Sequence, residues 1–241
     1  VATLLVRFAS CFCPTRPIAM QFVAWDIETC PFPVDTFSDA QRSRFEERLD
    51  KRRSKHPDEG EDAAARLVRS LHPLLGWICC ISAVRGSVGE APNRPKSWTA
   101  SSPEEEPELL ERFWDDIQHI SRNAPTIRWV TFNGKKFDVP FSEARSVHHG
   151  ITPVNSALLD TYPFNNAPHL DLMGLWPMPM RLHELCELLG VDSPKDEGDG
   201  STVADLVAAG DINKVARYCE KDVQATYACA QKVWPLVQAR K

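Results

Sequence analysis

The sequence predicts an α/β fold, because strand patterns come first along the chain and helical patterns dominate its end. The opening strand is a near-continuous apolar run over residues 22–27, which is typical of a strand that is covered on both faces. The last helix is a long amphipathic segment over residues 211–234. With 241 residues, of which 43% are hydrophobic, the chain is long enough for one large domain with a packed core.

A charged segment separates the opening strand from the next one. Residues 36–72 contain the charge run RSRFEERLDKRRSK and the turn-forming sequence HPDEGED, a combination that predicts two helices joined by a turn. We therefore expect a helical insertion after the first strand. Residues 76–84 are apolar and β-branched enough for a second strand, and the segment around Trp98 predicts a third. The three early strands are expected to form a meander.

The rest of the chain predicts one more strand and most of the helices. Apolar residues recur at helical spacing over residues 102–120, with acids near the helix start, where they are favourable. Residues 126–134 predict a strand that Asn-Gly stops, and the helix after it begins near Phe137 and ends at Gly150. The remaining predicted helices cover residues 181–190, 201–210 and 211–234, with Asp211 as the cap of the last one.

Composition excludes several classes of function. The chain carries 28 Lys+Arg against 33 Asp+Glu, a formal net charge of -5, so any binding of nucleic acid must use a local basic patch. Its eight cysteines include no Cys-x-x-Cys pair, which argues against a zinc site and a disulfide framework and favours a reducing, cytoplasmic setting. No apolar run approaches the roughly 20 residues that span a bilayer, so we expect no membrane association.

The first nineteen residues do not resemble a secretory signal, because no basic segment precedes their short apolar stretch. The chain begins with Val, and Met20 stands directly before the first strand. Our hypothesis is that Met20 is the natural start and that residues 1–19 are a leader, either disordered or not native. The domain is then expected to span residues 20–241, with the insertion at 36–72 inside it.

Two carboxylates interrupt the opening strand. Because side chains alternate along a strand, Asp26 and Glu28 point to the same face with their carboxylates close together. An unpaired charge in a buried strand costs several kcal/mol, so a pair of like charges there requires a cation. The alternative is that the strand ends at Asp26 and that both acids are solvated.

Further acids lie beside core-forming sequence. Asp138 follows the strand at 126–134, and Asp222 lies on the last helix, four residues after Tyr218 and on the same side of that helix. Taken alone, the pattern favours a partly exposed helical acid beside a tyrosine that packs through its ring. With Asp26 and Glu28, however, four acids come from three distant segments, and this combination predicts one acidic site.

Three motifs resemble those of a known family. DIET, FNGKKFDVP and YCEKDVQAT, in this order, resemble the motifs of the DnaQ-like (DEDD) 3'-5' exonucleases, and in particular the predicted exonucleases similar to the exonuclease domain of B-family DNA polymerases. Tyr218, four residues before Asp222, matches the tyrosine subgroup. The resemblance covers most of the chain from Met20 onward and implies a ribonuclease H-like fold, with a mixed central β-sheet flanked by helices. The motifs explain neither the insertion nor the leader.

The resemblance also implies a catalytic site. It assigns binding of two ions, Mg²⁺ or Mn²⁺, to Asp26, Glu28, Asp138 and Asp222, and gives Tyr218 the role of orienting the attacking water. Hydrolysis of a phosphodiester by two metal ions requires such residues. Hard cations prefer oxygen ligands, and two ions about 3.5–4 Å apart can activate water and stabilise the leaving oxygen. Metal binding would explain why a buried strand contains Asp26 and Glu28.

Other residues are weaker candidates for contact with the substrate. The residues expected to contact it are Thr29, Asn133, Lys135, Lys136 and Phe137. For Asn133 and Phe137 the alternatives are a turn residue and a core residue. Asp171, in HLDLM, either supports the site from behind or caps the helix that follows. The basic run over residues 48–55 either holds phosphates or is a solvated face, and the two histidines at 148–149 favour the helix dipole rather than a metal.

Together these patterns predict a metal-dependent exonuclease that releases 5'-nucleotides from the free 3' ends of single-stranded nucleic acid. DNA is favoured over RNA, although no motif reports contacts to the 2'-hydroxyl that distinguish them. A proofreading or repair role would require a replication or repair partner. One alternative is a decayed module that only binds nucleic acid or a partner, but all five expected site residues are present. Another is an endonuclease, which the tyrosine in the third motif disfavours.

Overall fold

A mixed β-sheet forms the centre of the structure, a computed structural model that describes residues 20–123, 126–194 and 202–240. The leader expected at residues 1–19 lies outside the described residues. Five strands of the described chain form one sheet in the order β3-β2-β1-β4-β5. These strands are β1 (Gln21–Pro31), β2 (Gly76–Ser87), β3 (Lys96–Thr99), β4 (Ile127–Thr131) and β5 (His169–Asp171).

Strand pairing confirms the expected meander. β1 pairs with β2, and β2 with β3, in antiparallel orientation, whereas β4 is parallel to both β1 and β5. The register between β1 and β2 shifts at Glu28, where Glu28 is opposite Cys80 but Thr29 is opposite Ile78. Sequence reasoning misses β5, because three buried residues are too few to show a periodic pattern.

The predicted insertion is a pair of helices between β1 and β2. α1 (Asp39–Lys55) and α2 (Glu61–Ser70) are joined by a turn, as the sequence predicts. Ser38 caps α1 in a capping box with Gln41. The two helices share a small apolar cluster of Leu49, Ala64 and Val68.

The remaining helices surround the sheet. They are α3 (Glu106–Asn123), α4 (Asp138–His148), α5 (Leu182–Leu189), α6 (Val203–Ala208) and α7 (Ile212–Ala239). Gly190 ends α5 with a φ of 63°, as predicted, because glycine adopts the left-handed region without steric cost. Asp211 stands at the predicted N-cap of α7, but its side chain makes no capping hydrogen bond and pairs instead with Lys214. No described helix is long and apolar enough to cross a membrane.

The two faces of β1 enter different apolar clusters. Val23, Trp25 and Ile27 pack in the cluster that contains the buried face of α3. Phe22 and Ala24 pack in the cluster that contains most of the buried residues of α7. Because side chains alternate along the strand, the even-numbered positions that follow, including both acids of β1, point to the α7 side of the sheet.

Candidate active site

The acids of β1 lie within the strand. β1 continues to Pro31, so the alternative in which the strand ends at Asp26 is wrong. Asp26 and Glu28 are half-buried, and one carboxylate oxygen of each lies within 4.8 Å of the other and of Cys219 Sγ. Burial, followed by repulsion from neighbouring acids, raises the pKa of Asp26 and of Glu28 well above ordinary values. The surroundings of β1 therefore disfavour the ionised form of both carboxyl groups.

Asp138 joins them from the first turn of α4. It is 2% exposed, and its Oδ1 accepts a hydrogen bond from the Ile27 N–H at 3.1 Å, which fixes the start of α4 against β1. Burial raises the pKa of Asp138 to about 7, although hydrogen bonds from Asp26 and Ile27 act in the opposite direction. Asp138 is also a neighbour that raises the pKa of Asp26, in addition to the larger effect of burial.

α7 contributes the fourth acid. Burial raises the pKa of Asp222 to about 6, and a hydrogen bond with Tyr218 partly lowers it. This hydrogen bond places the Tyr218 hydroxyl on the carboxylate one turn away. The charge of Asp222 also raises the pKa of both Asp26 and Glu28. The structure thus brings together the five residues that the motifs single out, from β1, α4 and α7.

This donor set fits hard divalent cations. All four carboxyl groups have pKa values shifted in the direction that disfavours the ionised form, and burial is the first cause in each case. Clustered carboxylates with raised pKa values gain most from a bound cation, because it offsets both desolvation and mutual repulsion. Carboxylate oxygens are also the ligands that Mg²⁺ and Mn²⁺ prefer.

Buried thiols flank the carboxylates, a feature that the sequence does not indicate. Cys219 Sγ lies 3.6 Å from the Asp26 carbonyl oxygen and 3.8 Å from Asp26 Oδ2. Cys79 Sγ lies 3.3 Å from the Glu28 carbonyl oxygen, at the register shift between β1 and β2. Burial raises the pKa of both thiols, so they are neutral weak donors that line the site.

A tight turn over residues 133–135 precedes α4 and positions Asp138 beside the other carboxyl groups. Asp171, at the end of β5, accepts backbone hydrogen bonds from Asn133 at 2.8 Å and Lys135 at 3.1 Å, and also from Met173 at 3.1 Å. Both alternatives for Asp171 therefore hold, since it caps the short helical turn that follows and supports the turn before α4. Asn133 has a φ of 68°, as a turn residue does, and a Cβ at Gly134 would lie 2.4 Å from the Thr131 side chain.

The predicted substrate residues line two neighbouring clefts. The first, here called the insertion cleft, has a volume of about 690 Å³ and lies between Glu28, Thr29 and Phe137 on one side and α2 and α6 on the other. The second, here called the loop cleft, has a volume of about 420 Å³ and is lined by Asn133, Lys135, Lys136 and Asp171, among others. Lys136, which lines the loop cleft, and Phe137, which lines the insertion cleft, are consecutive residues of the turn before α4.

Two of these residues have other partners. The Thr29 hydroxyl donates to the Ser70 carbonyl oxygen at 2.8 Å and so holds the end of α2. The Lys135 ammonium, 5% exposed, donates to the carbonyl oxygens of Tyr162 and Asn165, each at 2.7 Å. It therefore anchors the loop before β5, whereas Lys136 is exposed. Their predicted contacts with substrate stay predictions.

The basic run of α1 is largely paired. Lys51 contacts Glu47, Arg52 makes a two-pronged contact with Glu59, and Arg53 contacts Glu61. The pairs of Lys51 and Arg53 favour the solvated-face alternative, whereas Arg52 lines the insertion cleft. Sequence reasoning misses a different arginine, Arg66 of α2, which lines the insertion cleft and pairs with Asp205 of α6 at 2.6 Å. Its position depends on the packing of two helices that are distant in sequence.

Comparisons with known proteins identify a family and a similar fold. Residues 72–234 match the family model of a predicted 3'-5' exonuclease related to the exonuclease domain of PolB. Among solved structures, the chain resembles the family B DNA polymerase from the hyperthermophilic archaeon Pyrobaculum calidifontis, with a TM-score of 0.60 and 16% identity over 92% of this chain and 25% of the polymerase. This likeness confirms the ribonuclease H-like fold. The comparison with curated proteins found no match.

Proposed function

The chain belongs to the family of predicted 3'-5' exonucleases related to the exonuclease domain of PolB, and from this premise we propose that it releases 5'-nucleotides from single-stranded 3' ends with two divalent cations, Mg²⁺ or Mn²⁺. The observation that carries the proposal is the convergence of four carboxyl groups with raised pKa values from β1, α4 and α7. DNA is the favoured substrate, and a replication or repair partner is the favoured context.

Each site residue has a role in the proposed reaction. Asp26, Glu28, Asp138 and Asp222 would hold the cations, which when bound supply activation of water and stabilisation of the leaving oxygen. The Tyr218 hydroxyl, next to Asp222, orients the attacking water toward phosphorus. The Ile27 N–H fixes Asp138, so the backbone of β1 positions a carboxylate of another element.

The insertion cleft is the proposed seat of the terminal nucleotide. It borders Glu28, and it contains the two predicted contact residues that lie nearest the acids in sequence, Thr29 and Phe137. α2 forms the opposite wall and places the guanidinium of Arg66 in the cleft. We propose that a phosphate of the substrate replaces Asp205 as the partner of Arg66.

This role of Arg66 predicts a salt-dependent effect. Arg66→Gln should raise the KM for a single-stranded oligonucleotide several-fold and reduce the slope of log affinity against log salt by about 1, with little change in kcat. Arg53→Gln is the matched control, because Arg53 is also an ion-paired arginine of the insertion but does not line the cleft. Equal salt slopes for wild type and Arg66→Gln would contradict the proposal.

End-labelled substrates test the function itself. Purified protein is incubated with single-stranded DNA or RNA, labelled at the 5' or the 3' end, with Mg²⁺, Mn²⁺ or excess chelator. We expect 5'-labelled strands to shorten stepwise, 3'-labelled strands to lose their label at once as mononucleotide, and no reaction in chelator. A decayed binding module would retain labelled strands at full length, and an endonuclease would yield internal fragments from both labels.

A further inference from the structure

The loop before β5 displays two large aromatic side chains. Tyr162 is 63% exposed and Phe164 is 83% exposed. Their rings are in edge contact, with centroids 5.9 Å apart and planes at 75°. Adjacent exposed aromatic groups are unfavourable in water, and such patches mark surfaces that bind another molecule.

The backbone of this loop is held in place. The buried ammonium of Lys135 binds the carbonyl oxygens of Tyr162 and Asn165, each at 2.7 Å. Asp160 accepts a hydrogen bond from the Tyr162 N–H at 2.8 Å, and the Asn165 N–H donates to the Tyr162 carbonyl oxygen at 3.1 Å. The two rings are therefore presented to solvent by a loop whose backbone hydrogen bonds are made within the protein.

The same contacts connect the loop to the carboxylate cluster. Lys135 belongs to the turn that places Asp138 at the start of α4. The loop cleft between the turn and the loop is lined by Thr161 and Pro163, which flank Tyr162, and by the exposed Lys136. The loop that carries the aromatic pair therefore borders the same cleft as Lys136, an exposed cation two residues before Asp138.

We propose that Tyr162 and Phe164 form a stacking platform for the unpaired bases that precede the nucleotide being removed, with Lys136 on the phosphate backbone. The inference rests on the proposed function and extends it to the path of the strand. Aromatic rings stack on any base, so this platform suits an enzyme that moves along a strand without reading its sequence. In a duplex the base faces are covered by their neighbours, so the platform also selects single strands.

Two substrates of different length test the platform. The p-nitrophenyl ester of thymidine 5'-monophosphate presents one nucleotide to the acids, whereas a single-stranded oligothymidylate extends beyond them. For the double variant Tyr162→Ala with Phe164→Ala, we expect the KM for the oligothymidylate to rise on the order of 10-fold or more, with hydrolysis of the ester unchanged. Phe164→Trp should keep the affinity of wild type, because it keeps an aromatic face.

Leu188→Ala is the matched control, because Leu188 on α5 is also 63% exposed and lines neither cleft. Fluorescence anisotropy with a labelled oligothymidylate measures binding separately from turnover. An unchanged KM and affinity in the double variant would overturn the platform, and so would an equal loss on both substrates. If wild type hydrolyses neither substrate, the proposed function fails, and the anisotropy difference between wild type and the double variant still decides the platform.

Discussion

Asp138→Asn is expected to lower the rate of hydrolysis by orders of magnitude and, in metal-free buffer at pH 8, to raise the melting temperature. The loss of rate follows from removing one of four proposed cation ligands. The gain in stability follows from the raised pKa of Asp138, about 7 against an ordinary 3.8, which means that the fold disfavours the ionised carboxylate. Asparagine keeps the size of the side chain and an oxygen that accepts the hydrogen bond from Ile27.

The sign of the pH dependence follows from linkage. Since the folded-state pKa is raised, the contribution of Asp138 to stability is present below pH 4 and is lost as the pH rises toward 7. One pKa unit corresponds to about 1.4 kcal/mol, so the loss amounts to a few kcal/mol at pH 8. The melting temperatures of wild type and Asp138→Asn should therefore converge at pH 4 and separate at pH 8.

Melting curves recorded with and without Mn²⁺ test whether Asp138 is a cation ligand. We expect Mn²⁺ to stabilise wild type far more than Asp138→Asn. Asp115→Asn, at an exposed position of α3, serves as the control and should change neither the rate nor the melting temperature. If Asp138→Asn is less stable than wild type at pH 8 in chelator, the acid is structural and the proposed site is wrong.

Tyr218→Phe should reduce turnover on the order of 10²-fold, as for other positioned catalytic groups, with little change in Mn²⁺ affinity or melting temperature. The substitution keeps the ring and removes only the hydroxyl that contacts Asp222. Because that hydrogen bond lowers the pKa of Asp222, its loss should move the acidic limb of the pH–rate profile to higher pH. A tyrosine that only packs would show neither change.

Tyr227→Phe on the same helix is the matched control. The Tyr227 hydroxyl donates to the carbonyl oxygens of Ser87 and Glu90, away from the carboxylates. Its removal should cost about 1 kcal/mol of stability and leave turnover unchanged. Single-turnover rates and isothermal titration with Mn²⁺ distinguish the roles of Tyr218. Weakened Mn²⁺ binding in Tyr218→Phe would place the tyrosine among the cation ligands instead.

The parts of the site that follow local rules were accessible from the sequence. Alternation along a strand is enough to put Asp26 and Glu28 on one face, and helical spacing puts Tyr218 beside Asp222. The hydrogen bond from Ile27 to Asp138 joins segments that are distant in sequence, and local rules do not show that they meet. The combination of acids beside core-forming sequence and the resemblance to a family indicated it.

Other features depend on tertiary packing and escape such rules. β5 is too short for a pattern, and Lys135 reads as a surface residue although its ammonium is buried against carbonyl oxygens. The contribution of Arg66 to the insertion cleft depends on how α2 packs beside α6. The exposure of Tyr162 and Phe164 contradicts the expectation that aromatic side chains are buried, and burial cannot be read from residue type alone.

The insertion leaves and re-enters the sheet at one point, since Pro31 pairs with Gly76 and the Phe32 N–H donates to the Leu75 carbonyl oxygen at 2.9 Å. α1 and α2 therefore lie within one long loop that connects the paired strands β1 and β2. The entropy of closing such a loop grows only logarithmically, by about 0.6 kcal/mol for each doubling of its length. Related chains can thus lengthen, shorten or replace this wall of the cleft at little thermodynamic cost, so the range of substrates can diverge while the carboxylates keep their places.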